Sequence, residues 1–260
     1  MDRSIIALEA GFWNIRGNYR IAGVLNVGTQ ASLVRLQDGG FVLLDACDFS
    51  AAVQADIAGL TDDGAHLRAI IHLHPFHTLH VEAAHALFPG ARLYGTARHH
   101  ERFPDLPWQA ERSESKALHR LFKNDLRFSV PRGVDFISDD EHVHFSSVLA
   151  YHPRSNTIHV DDTFNHVPLA GLLARFGLAS PISLHPTLAK ALEQRADAAA
   201  EFRGWAQKLV RDWRDARNLC AAHTAAWLGK DHPADDLDDL LGEAVQRAER
   251  TLAAHERKYG

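Results

Sequence analysis

The stretch Leu67-Arg68-Ala69-Ile70-Ile71-His72-Leu73-His74-Pro75-Phe76-His77 places a short apolar run directly before three histidines. A bounded apolar run of this length predicts a buried strand. Side chains two positions apart on an extended chain point the same way, so His72 and His74 can bind one ion together. His77, in the turn or first helical turn beyond, can reach the same ion or a neighbouring one.

Histidine is the commonest metal ligand in proteins, and this chain is rich in it, with 18 histidines in 260 residues. At that frequency chance alone yields about one His-x-His, but only about 0.1 of the full three-histidine pattern. The complete pattern at a strand end therefore points to a metal site, whereas His-x-His alone carries little weight.

Periodicity on either side of this stretch predicts alternating strands and helices. The predicted elements of the first half are strands over 12–16, 19–27, 31–36 and 41–45, a helix over 51–60, a strand over 67–71, a helix over 78–88 and a strand over 91–94. Those of the second half are strands over 134–137, 146–152, 157–160 and 219–222, and helices over 186–217 and 234–258. Strand, helix and strand in succession predict βαβ units and hence an α/β fold.

Composition excludes several classes of protein. Apolar residues make up 46% and charged residues 23% of the chain, as in ordinary globular proteins. The net charge of −5 argues against a nucleic-acid partner, and no apolar run approaches the roughly 20 residues of a membrane span. Two cysteines and no signal-peptide pattern predict a location in the cytoplasm. Since the sequence shows no internal repeat and no low-complexity linker, we expect a single domain over residues 1–260. The oligomeric state is not predicted.

The order of the candidate ligands resembles the metallo-β-lactamase superfamily. That family carries His-x-His-x-Asp-His after a strand, then a loop histidine, a carboxylate after a further strand, and a final histidine near the C-terminus. The matching positions here are His72, His74 and His77, then His142 in Glu141-His142-Val143-His144, then Asp162 after Thr157–Val160, and His223 after Leu219–Ala222. The resemblance covers roughly residues 12–225.

This resemblance implies a four-layer αββα sandwich with the metal site at one edge, where the two sheets meet. It implies a first zinc site made of His72, His74, His142 and Asp162. A second site would keep His77, His223 and a share of Asp162. His142 is preferred as the loop ligand, and His144, two residues on, stays open as the alternative.

The chain also departs from the family pattern at three places. Phe76 stands where the family has an aspartate that binds the second metal, and phenylalanine cannot replace that ligand. The glycine-rich turn after the loop histidine is missing, and Asp161 replaces a glycine before the carboxylate. We therefore expect one strong zinc site and a second that is weak or absent.

The function that the resemblance implies is metal-dependent hydrolysis of a small-molecule ester, thioester, lactone, amide or phosphodiester. In that role Asp162 would hold the metal and orient the attacking water, and His223 or His77 would stabilise the developing oxyanion. Substrate contacts are expected from Leu106-Pro107-Trp108 and from the 164–181 stretch.

Two other functions remain open from the sequence. His72, His142 and Asp162 form a set of two histidines and one carboxylate, the usual ligands of non-haem iron, so an iron oxygenase is one alternative. The other is a non-catalytic member that keeps the fold as a scaffold or binding module, since Phe76 removes a metal ligand.

Overall fold

The computed structural model describes residues 1–21, 25–26, 28–166, 182–223 and 225–260. These residues form two compact units. Unit 1 comprises Met1–Arg127 and His152–Ser155, and unit 2 comprises Phe128–Tyr151 and Asn156–Gly260. In the described ranges, no helix combines the length and the apolar character needed to cross a bilayer.

Unit 1 contains a six-stranded sheet. The strands of this unit are β1 (Ile5–Leu8), β2 (Phe12–Gly17), β3 (Arg20–Ile21), β4 (Leu25–Asn26), β5 (Thr29–Arg35), β6 (Phe41–Leu44), β7 (Leu67–Ile71) and β8 (Arg92–Tyr94). Its helices are α1 (Ala51–Thr61), α2 (Val81–Leu87), α3 (Ala97–Arg102) and α4 (Lys116–Leu121). The sheet order is β1-β2-β5-β6-β7-β8, and β3 pairs with β4 in a separate ribbon.

The last three strands of this sheet are parallel, because helices connect them. β6 pairs with β7 and β7 with β8 in parallel, and α1 and α2 form the two crossovers. α1 begins after Ser50, whose hydroxyl accepts a hydrogen bond from the Val53 N–H, and it ends at the left-handed Asp62. Val53 and Ile57 bury one face of α1 in the hydrophobic core of the sheet. The βαβ arrangement predicted from the sequence is confirmed.

Unit 2 contains a five-stranded sheet and four helices in its described part. Its strands are β9 (Arg127–Ser129), β10 (Leu149–His152), β11 (Thr157–Val160), β12 (Phe164–His166), β13 (Ile182–Leu184), β14 (Asn218–Ala221) and β15 (Ala226–Leu228). Its helices are α5 (Leu188–Ala191), α6 (Ala198–Asp212), α7 (Leu237–Arg247) and α8 (Glu249–Tyr259). The sheet order is β15-β14-β11-β10-β9, and β12 and β13 form an antiparallel ribbon.

The hydrophobic core of unit 2 lies between its sheet and α6. Apolar residues recur on α6 at three- and four-residue spacing, so that one face of the helix is buried. The buried residues of the helix are Ala198, Ala199, Phe202, Trp205, Ala206 and Leu209. All except Ala198 join one cluster with the sheet residues Leu149, Ile158, Val160 and Leu219 and with residues of α7 and α8.

The single helix predicted over 186–217 is wrong, because two shorter helices, α5 and α6, occupy this range. The break follows from backbone bonds to a distant segment. The Glu193 N–H donates to the Gly133 carbonyl, and the Asp135 N–H donates to the Ala191 carbonyl. Asp197 then takes a left-handed conformation, with φ of 65°, directly before α6. The apolar periodicity of the sequence continues through this break and therefore does not reveal it.

Two other predicted elements also need correction. The strand predicted over 134–137 is wrong, since Val134 makes only an isolated bridge to Leu192. The terminal helix predicted over 234–258 is split into α7 and α8 at Ala248.

Substitutions at two glycines of unit 2 test the close packing beside α6. Gly133 has φ of +70°, and a Cβ there would lie 2.0 Å from the Ala198 carbonyl oxygen. We expect Gly133→Ala to lower the free energy of unfolding by more than about 2 kcal/mol. Gly204 lies inside α6 with open space around it, so Gly204→Ala should raise the free energy by about 0.5–1 kcal/mol.

Urea denaturation of both variants and the unsubstituted chain measures the two changes. Equal effects of the two substitutions would contradict the close approach at Gly133.

Candidate metal-binding groups

Unit 1 presents histidines at the end of β7, where the strand leaves the sheet. The His72 N–H donates to the Tyr94 carbonyl at 2.9 Å, which extends the parallel pairing with β8 by one residue. The His72 carbonyl accepts a hydrogen bond of 2.6 Å from the Ser113 hydroxyl. His72 and His74 are both buried. We call His72, His74 and His77 the strand-end histidines.

Asp45 holds the peptide between the first two of these histidines. It follows β6 in a left-handed conformation, and its N–H donates to the Ile71 carbonyl at 2.9 Å. Its Oδ1 accepts a hydrogen bond of 2.8 Å from the Leu73 N–H. The side chain of one strand end thus positions the backbone of the next, which agrees with the structural role that the sequence suggests for this aspartate.

The chemical state of His72 suits a metal ligand. Burial lowers the pKa of His72 to about 3, so the ring is neutral at pH 7 and keeps a lone pair. Its Nε2 is buried and makes no hydrogen bond to any described residue. A buried nitrogen without a partner is costly in a folded protein, and a metal ion would satisfy it.

His77 lies close to His74 in the turn that follows. Its N–H donates to the His74 carbonyl at 3.1 Å, and the two rings stack with centroids 4.0 Å apart. The candidate ligand atoms of the two residues lie within 4.8 Å of each other. The two side chains thus offer two nitrogen donors close together.

Phe76 supplies no donor at the position between them. Its N–H donates to Nδ1 of His74 at 3.1 Å, and the Arg98 guanidinium lies 4.6 Å from the centre of its ring. A cation over an aromatic face thus occupies the neighbourhood in which the resemblance predicts a carboxylate.

A layer of aromatic side chains supports the strand-end histidines. His99 of α3 is buried and stacks on His72 with centroids 5.1 Å apart. Burial, with a smaller contribution from His72, lowers the pKa of His99 well below its ordinary value. Trp108 packs edge-on against His72 and stacks on His100. Trp108, predicted as a substrate contact, therefore also packs against a candidate ligand.

The register of two parallel strands places the donors of unit 2. β11 pairs with β14 so that Val160 lies opposite Ala221. Asp162 and His223 each follow two residues later, so both leave the sheet at the same edge. Nε2 of His223 lies 2.9 Å from Oδ1 of Asp162, which is 1% exposed.

Two further histidines approach the same carboxylate. Nδ1 of His144 lies 3.9 Å from Oδ2 of Asp162. His185, directly after β13, donates its N–H to the carbonyl of Thr163, the neighbour of Asp162. Burial lowers the pKa of His185; Asp162 opposes this shift, and His223 and His144 add to it. We call Asp162, His144, His185 and His223 the carboxylate group.

The structure distinguishes His142 from His144, the two loop histidines that the sequence leaves as alternative metal ligands. His142 is exposed, and its N–H donates to the Asp140 carboxylate at 2.9 Å. His144 is half-buried and faces Asp162. His144, the alternative to His142, is therefore the loop histidine near the carboxylate.

His185 is the residue of this group that sequence reasoning missed. No spacing rule pairs it with Asp162, because the ribbon of β12 and β13 brings them together across more than twenty residues. The 164–181 stretch, predicted to contact substrate, connects these strands, and its residues 167–181 lie outside the described residues.

Asp161 occupies the position where the resembling family has glycine. It is buried, and its Oδ1 lies 3.9 Å from Nε2 of the buried His159. This carboxylate, directly after β11, thus has an imidazole of that strand near it.

Both groups fit a metal such as zinc by their chemistry. Neutral imidazoles and a carboxylate are the donors that zinc and non-haem iron use. The buried Nε2 of His72 and the buried carboxylate of Asp162 are groups whose burial an ion would offset.

Comparison with solved structures identifies the fold. The metallo-β-lactamase DIM-1 exposed to ceftazidime matches at a TM-score of 0.60 and 12% identity, over 94% of this chain and 96% of that chain. An Erythrobacter litoralis metallo-β-lactamase with β-mercaptoethanol in its active site matches at 0.58 and 15%, over 99% and 98%. The chain has the metallo-β-lactamase fold.

A third metallo-β-lactamase, FIM-1 from Pseudomonas aeruginosa in its mono-zinc form, matches at a TM-score of 0.56 and 14% identity, over 94% and 95% of the two chains. No protein-family model and no curated protein matches the sequence. The α/β sandwich expected from the resemblance is thus confirmed as the metallo-β-lactamase fold, and at these identities the likeness concerns the fold alone.

Substitutions at Asp45 test its hold on the strand-end histidines. Asp45→Ala removes the acceptor of the buried Leu73 N–H, so we expect a loss of about 1–3 kcal/mol in the free energy of unfolding. Asp45→Asn keeps an acceptor oxygen and tolerates the left-handed backbone, so most of the stability should remain.

Thermal and urea unfolding of the two variants provide the measurement. Equal losses for alanine and asparagine would show that the charge of Asp45, rather than its hydrogen bond, stabilises this region.

Proposed function

We propose that this protein is a metal-dependent hydrolase of metallo-β-lactamase type. Its candidate metal donors are, in unit 1, the strand-end histidines and, in unit 2, Asp162, His144 and His223. The observation that carries the proposal is the buried Asp162 carboxylate with two imidazole nitrogens beside it, in a chain with the metallo-β-lactamase fold.

The environments of His72, Asp162 and His223 suit metal binding. The low pKa of His72 keeps a lone pair free for an ion across the physiological pH range. Asp162 contributes a negative charge that burial makes costly without a cation nearby. Nε2 of His223 lies 2.9 Å from Oδ1 of Asp162, so it is placed to bind the same ion as this carboxylate.

A bound zinc ion would supply Lewis acidity and lower the pKa of a bound water to about 7. The substrates would be small molecules with an ester, thioester, lactone, amide or phosphodiester bond. His144 replaces His142 in this proposal, because its ring faces Asp162. The mono-zinc form of FIM-1 is a precedent for one ion in this fold, which agrees with the missing carboxylate at Phe76.

Metal content tests the proposal directly. We expect protein purified without a histidine tag or added metal to contain close to one zinc per chain by plasma mass spectrometry. His74→Ala should lose this zinc, because it removes a buried donor, and should also lose hydrolysis in a screen of esters, lactones and phosphodiesters. The exposed His66 gives a matched control, and His66→Ala should keep both.

Other outcomes would contradict hydrolysis in distinct ways. Iron in place of zinc, with oxygen uptake in the presence of a thiol, would favour the oxygenase alternative. A chain that contains no metal and takes up no zinc when it is offered would favour the non-catalytic scaffold.

The two loop histidines give a second prediction. His144→Ala should lower zinc content and zinc affinity, since it removes the imidazole beside Asp162. His142→Ala should leave both unchanged, because this side chain is exposed. Zinc titration of the two metal-free variants measures the difference, and the reverse result would restore His142 as the loop ligand.

A further inference from the structure

Unit 1 contains a cavity of about 400 Å³ beside the first residues of β7 and β8. Its walls come from the turn between β5 and β6, from β7 and β8, and from the end of α4 and the segment that follows it. Small-molecule sites typically have volumes of about 300–1,000 Å³, with apolar walls and a few polar groups that fix the ligand. None of the residues that line this cavity is a candidate metal donor.

Contacts between distant segments fix the walls of the cavity. The Gln37 N–H donates to Oδ1 of Asp125 at 2.8 Å, and the Gln37 side-chain amide donates to the Asn124 carbonyl at 2.7 Å. The ring of Tyr94 packs edge-on against the ring of Phe122, with centroids 6.0 Å apart. The fold therefore forms this cavity without a ligand.

A β-bulge changes the direction of Arg68, which lines the cavity. Phe41 pairs with Leu67 and Val42 pairs with Ala69, so Arg68 is an extra residue on β7. Bulges are rare in parallel pairs, and they often redirect a side chain beside a functional site.

Gly40 leaves room for the stem of Arg68. A Cβ at Gly40 would lie 2.6 Å from Cγ and 2.7 Å from Nε of Arg68, closer than Cβ atoms approach other atoms in proteins. Arg92 begins β8 and pairs with Ala69, the residue after Arg68. Two neighbouring strands thus each contribute a guanidinium to the cavity.

Two carboxylates also line the cavity, and both accept backbone hydrogen bonds. Oδ1 of Asp38 and Oδ1 of Asp125 each accept a backbone N–H at 2.8 Å. Arg92 interacts with the Tyr94 hydroxyl. Among the described residues, neither Arg68 nor Arg92 forms an ion pair. Since a guanidinium has five N–H donors, both arginines keep donors for a further partner.

We propose that this cavity binds a small organic anion through Arg68 and Arg92. A guanidinium binds a carboxylate or a phosphate group by two parallel hydrogen bonds, so either group fits. The apolar part of the ligand would lie against Tyr94, Phe122 and Leu121, whose side chain is 54% exposed. This proposal is independent of the proposed metal binding, because it uses no candidate metal donor.

Ligand-observed NMR titration of the full-length protein tests the proposal with three probes. Benzoate and phenyl phosphate share a ring and differ in the anion, whereas benzylamine has the same ring and a positive charge. We expect at least one of the two anions to bind with a dissociation constant of about 1 mM or tighter. The anion that binds identifies the preferred group, and benzylamine should bind about tenfold more weakly or not at all.

Substitutions place the anion in the cavity. Arg68→Ala and Arg92→Ala should each weaken its affinity by about tenfold or more, since each removes charged hydrogen-bond donors. Gly40→Ala keeps both arginines but displaces the stem of Arg68, so it should also weaken the affinity. Arg3→Ala, at an exposed arginine that does not line the cavity, removes the same charge and should keep the affinity.

Four results would overturn the proposal. They are the absence of binding by both anions at about 10 mM, unchanged affinity in both arginine variants of the cavity, equal affinity for benzylamine, and binding that a metal chelator abolishes. The last result would show that the anion binds a metal ion, so it would support metal binding while it excludes the cavity. Loss of zinc with unchanged anion affinity would leave this proposal in place and contradict only the proposed function.

Discussion

Parallel strand pairing decides where the candidate donors at the strand ends of this protein lie. In unit 1, β7 pairs in parallel with β6 and β8, so Asp45 and His72 leave the sheet at the same edge. In unit 2, the pairing of β11 with β14 does the same for Asp162 and His223. The carboxyl ends of parallel strands are the usual position of ligand sites in α/β sheets, because side chains from several strands meet there. A shift of one residue in either register would move these side chains to the opposite face of the sheet.

The same placement buries the donors, and their burial lowers the stability of the fold. Neutral imidazoles at His72 and His99 lose their contact with water, and burial lowers the pKa of both. Asp162 keeps its carboxylate in the interior, where an isolated charge is strongly disfavoured and histidines or an ion must offset it. Burial of this kind reduces stability, so it is expected where a site needs neutral ligands and one fixed negative charge.

The sequence predicts the parts of this arrangement that depend on local pattern. The apolar run before His72, the βαβ periodicity and the order of the histidines need only neighbouring residues, and they indicate both the fold and the strand-end histidines. The break between α5 and α6 and the approach of His185 to Thr163 depend on backbone bonds between distant segments. Periodicity carries no information on such bonds, so the helix is predicted too long and His185 is not found. His142 and His144 share one face of an extended chain, and only the packing around Asp162 distinguishes them.

Phe76 affects the electrostatics of the proposed centre as well as its ligand count. An aspartate at this position would place a negative charge beside His74 and His77, whereas the chain places the Arg98 guanidinium there, 4.6 Å from the Phe76 ring. Phe76 therefore supplies no attractive charge for a cation bound by His77, and the Arg98 guanidinium packs on its ring instead. A second ion at His77 would lack the charged ligand that the resembling family provides.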